Sequence, residues 1–307
     1  MTALRRITLN QLRIVEAAGR HQHFGRAAEE LHLSQPAISI QLKQLESDIG
    51  LPLFEQIGRR MHLTSAGKEL LGHARGVLAR LREADEAMDA LRGFGTGEIA
   101  IASTTTAEYF VPRLLAEFRR THPRLKLRLS VKNREHVVRD LADNTVDLVV
   151  MGQAPHGIET VAVPFSRNPL GIIAAPDHPL ARKRRLKLAQ LSGESFLIRE
   201  RGSGTRTAME RAFSAHQFTP AETVEIGSNE TIKQAVMAGM GVSFLSLHTI
   251  GLELATKRLV VLAVAGMPVM RDWYVIHLAG KRLTPAASAF KDYLVAEGAR
   301  LIERAMR

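Results

Sequence analysis

The 307-residue chain contains no cysteine. Disulfides are therefore excluded, and so are metal centres built on thiolates. No run approaches the ~20 apolar residues of a membrane-spanning helix. No apolar export segment opens the chain either. A soluble, cytoplasmic protein with no membrane partner is expected. The usual catalytic signatures are missing as well. Neither H-E-x-x-H nor G-x-S-x-G occurs, and the twelve histidines show no metal-ligand spacing. No enzyme, metal site or resident cofactor is expected. His21 and His23 flank a helix end and read as surface residues. Trp273, the only tryptophan, and Tyr274 read as core or hinge packing.

What is present bounds the class. Apolar residues make up 45% of the chain, enough for real cores. A prior of about 150 residues per domain suggests two or three units. A net charge of +11 and a pI near 10.4 favour a polyanionic partner such as nucleic acid. Residues 166–270 hold thirteen basic against eight acidic side chains, so the C-terminal part is basic in its own right and suits an anionic ligand.

The stretch Phe24–Glu46 has the most specific pattern. Phe24, Ala27, Ala28 and Leu31 lie at i, i+3, i+4 and i+7, one face of a short helix. Ser34 is a natural N-cap for the next helix, and Pro36 is tolerated in its first turn. Ile38, Leu42 and Leu45 would face inward. Gln35, Pro36, Ser39, Ile40 and Lys43 would face out. Two short helices joined by a tight turn, the second opening on amide, hydroxyl and cationic groups, describe a helix-turn-helix that can enter a DNA major groove. An αα-hairpin without DNA fits the same spacing. The basic turn that follows and the overall charge favour DNA.

Around it, Thr8 and Gln11 form a T-x-x-Q capping box for a helix over 8–20. Gly50-Leu51-Pro52 ends the third helix. Residues 53–64 read as a two-stranded wing with Arg59 and Arg60 at its tip, placed to lie along a phosphate backbone or in a minor groove, or else forming a solvated basic turn. A helix over 66–92 follows, capped by Thr64-Ser65. Its Leu70, Ala74, Val77, Leu81, Ala84, Met88 and Leu91 repeat 4, 3, 4, 3, 4, 3, a heptad seam. A small winged domain cannot bury a stripe ~38 Å long, so a helix from a second chain is the expected cover. Packing on the chain's own C-terminal part is the alternative. Gly93–Gly97 reads as a boundary.

From Glu98 strands and helices alternate. Strands are expected at 97–103, 126–131 and 147–151, with helices at 108–120 and 136–144. A second set has strands at 170–175, 195–199, 222–226 and 242–246, helices from Thr205 and over 229–238, and strands at 258–264 and 273–278. Thr284–Arg304 is a closing helix. The pattern is βαβ with parallel sheets. It fits two lobes joined by crossing segments near 161–169 and 266–272, or one doubly wound sheet.

In such sheets ligands bind beyond the carboxyl ends of strands. Those ends carry Ser103-Thr104-Thr105, Asn133-Arg134 and Gly152. In the second set they carry Gly202-Ser203-Gly204-Thr205-Arg206 and Asn229-Glu230. The Gly202–Arg206 stretch combines backbone donors, hydroxyls and positive charge at a helix start, chemistry for a phosphate or carboxylate. It lacks the G-x-x-x-x-G-K spacing of a P-loop. A capped turn that binds nothing fits the same residues.

AAEELHLSQPAISIQLKQLE followed by LPLFEQIGRRMHLTSAGKELL resembles the N-terminal domain of LysR-type transcriptional regulators. After Leu53-Phe54-Glu55 that family usually has an arginine where this chain has Gln56, which weakens any phosphate contact there. The resemblance runs over nearly the whole chain. It implies a winged helix-turn-helix over 1–65, a linker and dimerisation helix over 66–94, and a periplasmic-binding-protein-like α/β effector domain over 95–307. The lobes of that domain would be 95–164 with 270–307, and 165–269. Operator DNA, a homodimer or homotetramer, and RNA polymerase are the partners it implies. GSGTR at 202–206, GSNETIKQAVMAGMGVSFLSLHT at 227–249 and KRLTPA at 281–286 are similar to the CbbR-type subgroup, which controls Calvin-cycle genes including those of RuBisCO. That subgroup implies an effector such as a sugar phosphate, phosphoenolpyruvate or NADPH. The rival readings are a LysR-type regulator of another pathway with a carboxylate effector, a solute-binding protein with an incidental helical domain, and an α/β enzyme. The missing export signal and missing acid–base cluster stand against the last two.

Overall fold

A computed structural model describes residues 7–57, 60–91 and 97–305. Gly58, Arg59 and residues 92–96 lie outside the described residues. The chain forms two compact units.

The first unit is helical with a small ribbon. α1 (Leu9–His21) is opened by the expected box: Thr8 accepts from the Gln11 amide, and the Gln11 side chain accepts from the Thr8 amide at 3.0 Å. α2 (Phe24–Leu31) is capped by His23, whose Nδ1 accepts from the amides of Gly25 and Arg26. α3 (Gln35–Ile49) is capped by Ser34 and ends on Gly50 at φ 78°, a conformation glycine adopts without penalty. Ile14, Val15 and Ala18 of α1, Ala27 and Ala28 of α2, and Ile38, Leu42 and Leu45 of α3 form one buried core. The alanines remove bulk where the helices cross.

β1 (Phe54–Ile57) and β2 (Arg60–Leu63) pair antiparallel as the wing. Glu46 of α3 accepts from the amides of Leu53 and Phe54 at 2.7 and 3.1 Å, which fixes the wing's entry. α4 (Ser65–Leu91) starts with the Thr64 hydroxyl accepting from the Gly67 amide. Gly67 is required there, because a Cβ would stand 2.0 Å from the Leu53 carbonyl oxygen. Leu71 anchors the start of α4 in the helical core.

The second unit is α/β. β3 (Glu98–Thr104) lies parallel between β4 (Lys126–Lys132) and β5 (Leu148–Met151), with α5 (Val111–Thr121) and α6 (Arg134–Ala142) as crossovers. In the other lobe β7 (Ser195–Arg199) lies parallel between β8 (Glu222–Ile226) and β9 (Val242–Ser246), with α7 (Gly204–Ala215) and α8 (Asn229–Met237). A long strand β6 (Thr160–Ala174) and β11 (Val269–Leu278) run antiparallel through both lobes. β11 pairs β5, and β6 pairs β9. The crossing segments expected as connectors are therefore strands. Pro164 and Pro169 withhold ladder donors and mask the pattern, and a bulge between Trp273 and Tyr274 absorbs the irregularity.

The strand expected at 258–264 reduces to β10 (Val260–Val261) after α9 (Gly251–Ala255), because Val264 turns back to bond the Leu262 carbonyl. α5 begins at Val111 rather than 108, since Thr104–Phe110 closes two successive turns first. α10 (Pro285–Ala305) covers the first lobe, where Phe290 and Leu294 meet Phe118 and Trp273 in one buried core.

Candidate functional site

The first candidate surface is the outer face of α3. Gln35, Pro36, Ile40 and Lys43 are exposed and Ser39 half-buried, while Ile38, Leu42 and Leu45 are buried on the opposite side. Ile40 keeps 65% of its surface in solvent. An aliphatic side chain among amides and hydroxyls suits a thymine methyl. Arg60 is exposed on β2, and Gln56 is exposed on β1.

The second is the cleft between the lobes of the α/β unit. It is lined by Thr104, Thr105 and Thr106 after β3, by Arg134, and by Met151–Gln153 after β5. The opposite side supplies Arg199, Ser203, Gly204 and Thr205, and the strands that pass between the lobes supply Asn168, Arg271 and Trp273. The lobes touch directly across it. Arg199 Nη2 donates to the Thr105 hydroxyl at 3.1 Å, and the Asn229 amide donates to the Thr105 carbonyl at 3.3 Å. The hydroxyls of Thr106 and Thr205 stand 3.4 Å apart. Beside the cleft, the Tyr109 hydroxyl donates to Glu230 at 2.5 Å, and Lys233 stacks over the Tyr109 ring. Burial and the Glu230 carboxylate push the Tyr109 hydroxyl's pKa well up, so it stays a donor.

The charge in the cleft is uneven. Arg199 is almost wholly buried and paired with Glu200 at 2.7 and 2.9 Å. Arg271 donates to two carbonyls, Gly204 at 2.9 Å and Gly152 at 2.6 Å. Arg134 donates to the Ala154 carbonyl at 3.3 Å. Burial, with Arg134 and Arg211 nearby, holds the Arg271 guanidinium below its usual pKa. Burial and Arg211 do the same for Arg134. Among the described residues neither meets a carboxylate at ion-pair distance. Two desolvated cations, each also opposed by Arg211, form a region that favours an anion.

The residues expected from the sequence are distributed unevenly. Thr104, Thr105, Arg134, Gly152, Ser203, Gly204 and Thr205 line the cleft. Asn229 reaches Thr105 across it. Ser103 is fully buried and its hydroxyl has no hydrogen-bond partner. Asn133 lies in a neighbouring recess with Lys132, His136 and Gly227, and its side chain caps α6. Glu230 is bound to Tyr109 and Lys233. Gly202 holds the loop at φ 84° beside Glu135. Arg206 points elsewhere: Glu210, one turn on in α7, and Glu225 of β8 take up its charge.

Sequence reasoning missed Arg199, Arg271, Asn168 and Tyr109. Arg199 closes a parallel strand, so the strand-end rule would have found it. Arg271 falls in a segment read as a connector, and nothing local marked it.

A winged helix-turn-helix joined through a long helix to a two-lobed domain with an anion-favouring cleft defines a ligand-sensing DNA-binding regulator. Residues 9–68 match the bacterial regulatory helix-turn-helix of the lysR family, and residues 92–299 match the LysR substrate binding domain. The chain belongs to the LysR family of transcriptional regulators and is not an enzyme. It is 50% identical to a RuBisCO operon transcriptional regulator of Allochromatium vinosum, over 96% of this chain and 98% of that one. It is 42% identical to the CcmR regulatory domain of Synechocystis, solved in complex with 2-PG, over 65% of this chain and 96% of that one, with a TM-score of 0.63. Full-length CbnR, solved with its target DNA, shares the fold over 95% of this chain and 100% of its own at 24% identity and a TM-score of 0.66.

Proposed function

We propose that this chain regulates carbon-fixation genes, the RuBisCO operon among them, in response to a small anion held in the interlobe cleft. The gene target is supported by the relative from Allochromatium vinosum, at 50% identity over nearly the full length of both chains. The anion is supported by one observation: Arg134 and Arg271, both desolvated and without a carboxylate partner among the described residues, converge on a cleft rimmed by Thr104, Thr105, Thr106 and Thr205. A molecule carrying phosphate, carboxylate or both meets that demand. The 2-PG of the Synechocystis domain belongs to this class, as do sugar phosphates and phosphoenolpyruvate. NADPH is the larger alternative.

In this reading Gln35, Pro36, Ser39, Ile40 and Lys43 meet operator bases and backbone, and Arg59 and Arg60 meet phosphate. α4 pairs two chains into a dimer or tetramer that works in the cytoplasm beside RNA polymerase. The effector acts by binding one lobe arrangement more tightly than another. It competes for the donors of Arg199 and Arg271 and so resets the bond that ties Thr105 to the second lobe and the two that join Gly152 to Gly204 through Arg271. Trp273, the only tryptophan, lines the cleft and reports the event. Titration of the full chain with 2-phosphoglycolate, phosphoenolpyruvate, sugar phosphates, NADPH and plain carboxylates should shift its emission saturably for one of them. Arg271→Met should weaken that response at least tenfold. A saturable response that Arg271→Met leaves intact would remove the cleft from the mechanism.

A further inference from the structure

The densest run of charge in the chain lies outside both sites. Arg182, Lys183, Arg184, Arg185 and Lys187 occupy five of six successive positions in the loop after β6. All five are exposed. Several exposed arginines elsewhere pair with acids: Arg20 with Glu16 and Glu30, Arg139 with Glu135, and Arg300 with Glu297. Among the described residues none of the five does. Glu194, nearby in sequence, is bound to His178.

The loop is nonetheless anchored. Leu186, within the run, is 1% exposed in the core of the second lobe. Its amide donates to Ala263 at 2.9 Å, and its carbonyl accepts from Ala265 at 2.7 Å. Arg185 stands at φ 56°, left-handed backbone that a side-chain-bearing residue rarely adopts. Self-repelling cations are thus displayed on a fixed arc, with no paired acid among the described residues.

We propose that Arg182–Lys187 is a second nucleic-acid contact, a strip that lies against the phosphate backbone of duplex DNA bound by the same assembly. A protein partner is disfavoured by the surroundings. Arginine hot spots at protein interfaces sit in desolvated centres beside tryptophan and tyrosine, and residues 176–190 hold no aromatic and expose no large apolar side chain. A backbone contact needs only clustered lysine and arginine, and it carries no sequence preference. The proposal rests on the DNA-binding role of the family and is independent of which effector fills the cleft.

The test uses the full chain and two duplexes: one confined to the footprint of the helix-turn-helix, the other extended ~30 base pairs on each side. Binding is measured as salt is varied. Each lost phosphate contact lowers the slope of log K against log salt by ~0.9. The triple variant Arg182→Gln, Lys183→Gln, Arg184→Gln should lower the slope by about 2–3 on the extended duplex. Affinity there should drop ~10-fold or more at physiological salt, with little change on the short duplex. A charge-matched control, Lys257→Gln, Arg258→Gln, Arg282→Gln, removes the same number of exposed cations and should leave both slopes near the parent's. Equal slopes for parent and triple variant on the extended duplex would overturn the proposal, and so would an equal loss in the control. If DNA binding is intact while retention on RNA polymerase is lost, the strip belongs to a protein contact and the proposal is wrong. A parent that binds neither duplex would instead overturn the regulator reading itself.

Discussion

Trp273 donates its indole N–H to Nδ1 of His248 at 3.0 Å, and the two rings lie nearly parallel. An indole nitrogen can only donate, so Nδ1 must carry a lone pair and the imidazole is neutral. Burial enforces the same state, pushing the His248 pKa down to about 4. The pair ties the turn after β9 in the second lobe to β11, at the floor of the cleft. It is where effector binding, stability and pH meet.

The pH dependence has a definite sign. The folded-state value of about 4 lies below the ordinary value of 6.5. Between those values the unfolded chain binds a proton that the native state refuses, so this stability is complete above pH 6.5 and is lost as pH falls toward 4. The loss approaches about 1.4 kcal/mol per pH unit at its steepest. His248→Gln keeps an acceptor for the indole and does not titrate. Denaturant melts at several pH values should show the parent losing ground to the variant as the solution is acidified. Parallel stability curves would mean the imidazole is not held neutral by the fold.

Thr205 is 5% exposed at the first turn of α7, its hydroxyl 3.4 Å from that of Thr106 in the other lobe. Thr205→Val preserves shape and removes one donor-acceptor. Effector affinity should fall by ~10-fold, the cost of about 1–2 kcal/mol for a hydrogen bond to a charged group. DNA affinity without effector should match the parent. Calorimetry against the anion panel, paired with DNA titration, measures both, and unaltered effector affinity would place the ligand away from this hydroxyl.

Much of the helical unit and part of the cleft are legible in the sequence. The boundaries of the helical unit follow from local chemistry, the Thr8–Gln11 box, the Ser34 cap and Gly50, which act within a few residues. The strand-end rule reached Thr104, Thr105, Gly152 and Thr205 because each parallel strand delivers its carboxyl end to the same side. It could not reach Arg271, whose place depends on β6 and β11 pairing across more than a hundred residues. Nor could it foresee that Arg206 would be neutralised by Glu225, since that acid lies on β8, a separate element beyond the end of α7. Local signals survive in sequence. Long-range neutralisation of charge does not.

Gln35 opens α3 on its exposed face. An amide can bond adenine edges bidentately, so Gln35→Ala should cost ~1–3 kcal/mol on a specific operator and little on random duplex. Arg60→Ala should weaken all duplexes alike and flatten the salt dependence. Competition titrations with operator and scrambled DNA separate the two. Equal losses for Gln35→Ala on both would show that it does not read bases.

The seam of α4 is only partly covered within one chain. Ala74 is buried, but Val77 and Met88 keep 44% and 51% of their surface exposed and Leu81 keeps 37%. The heptad spacing continues past the helical core that holds Leu71, and a stripe of that period is covered by a second helix of like period. Leu81→Asp would place an unpaired carboxylate in the middle of that contact, where desolvation opposes it strongly. The assembly should dissociate, and half-site DNA binding should lose the gain in affinity that a linked second site provides. Sedimentation at micromolar concentration reads the mass directly. A variant that sediments as the parent does, with Met88→Asp doing the same, would show that the exposed stripe is not where two chains meet.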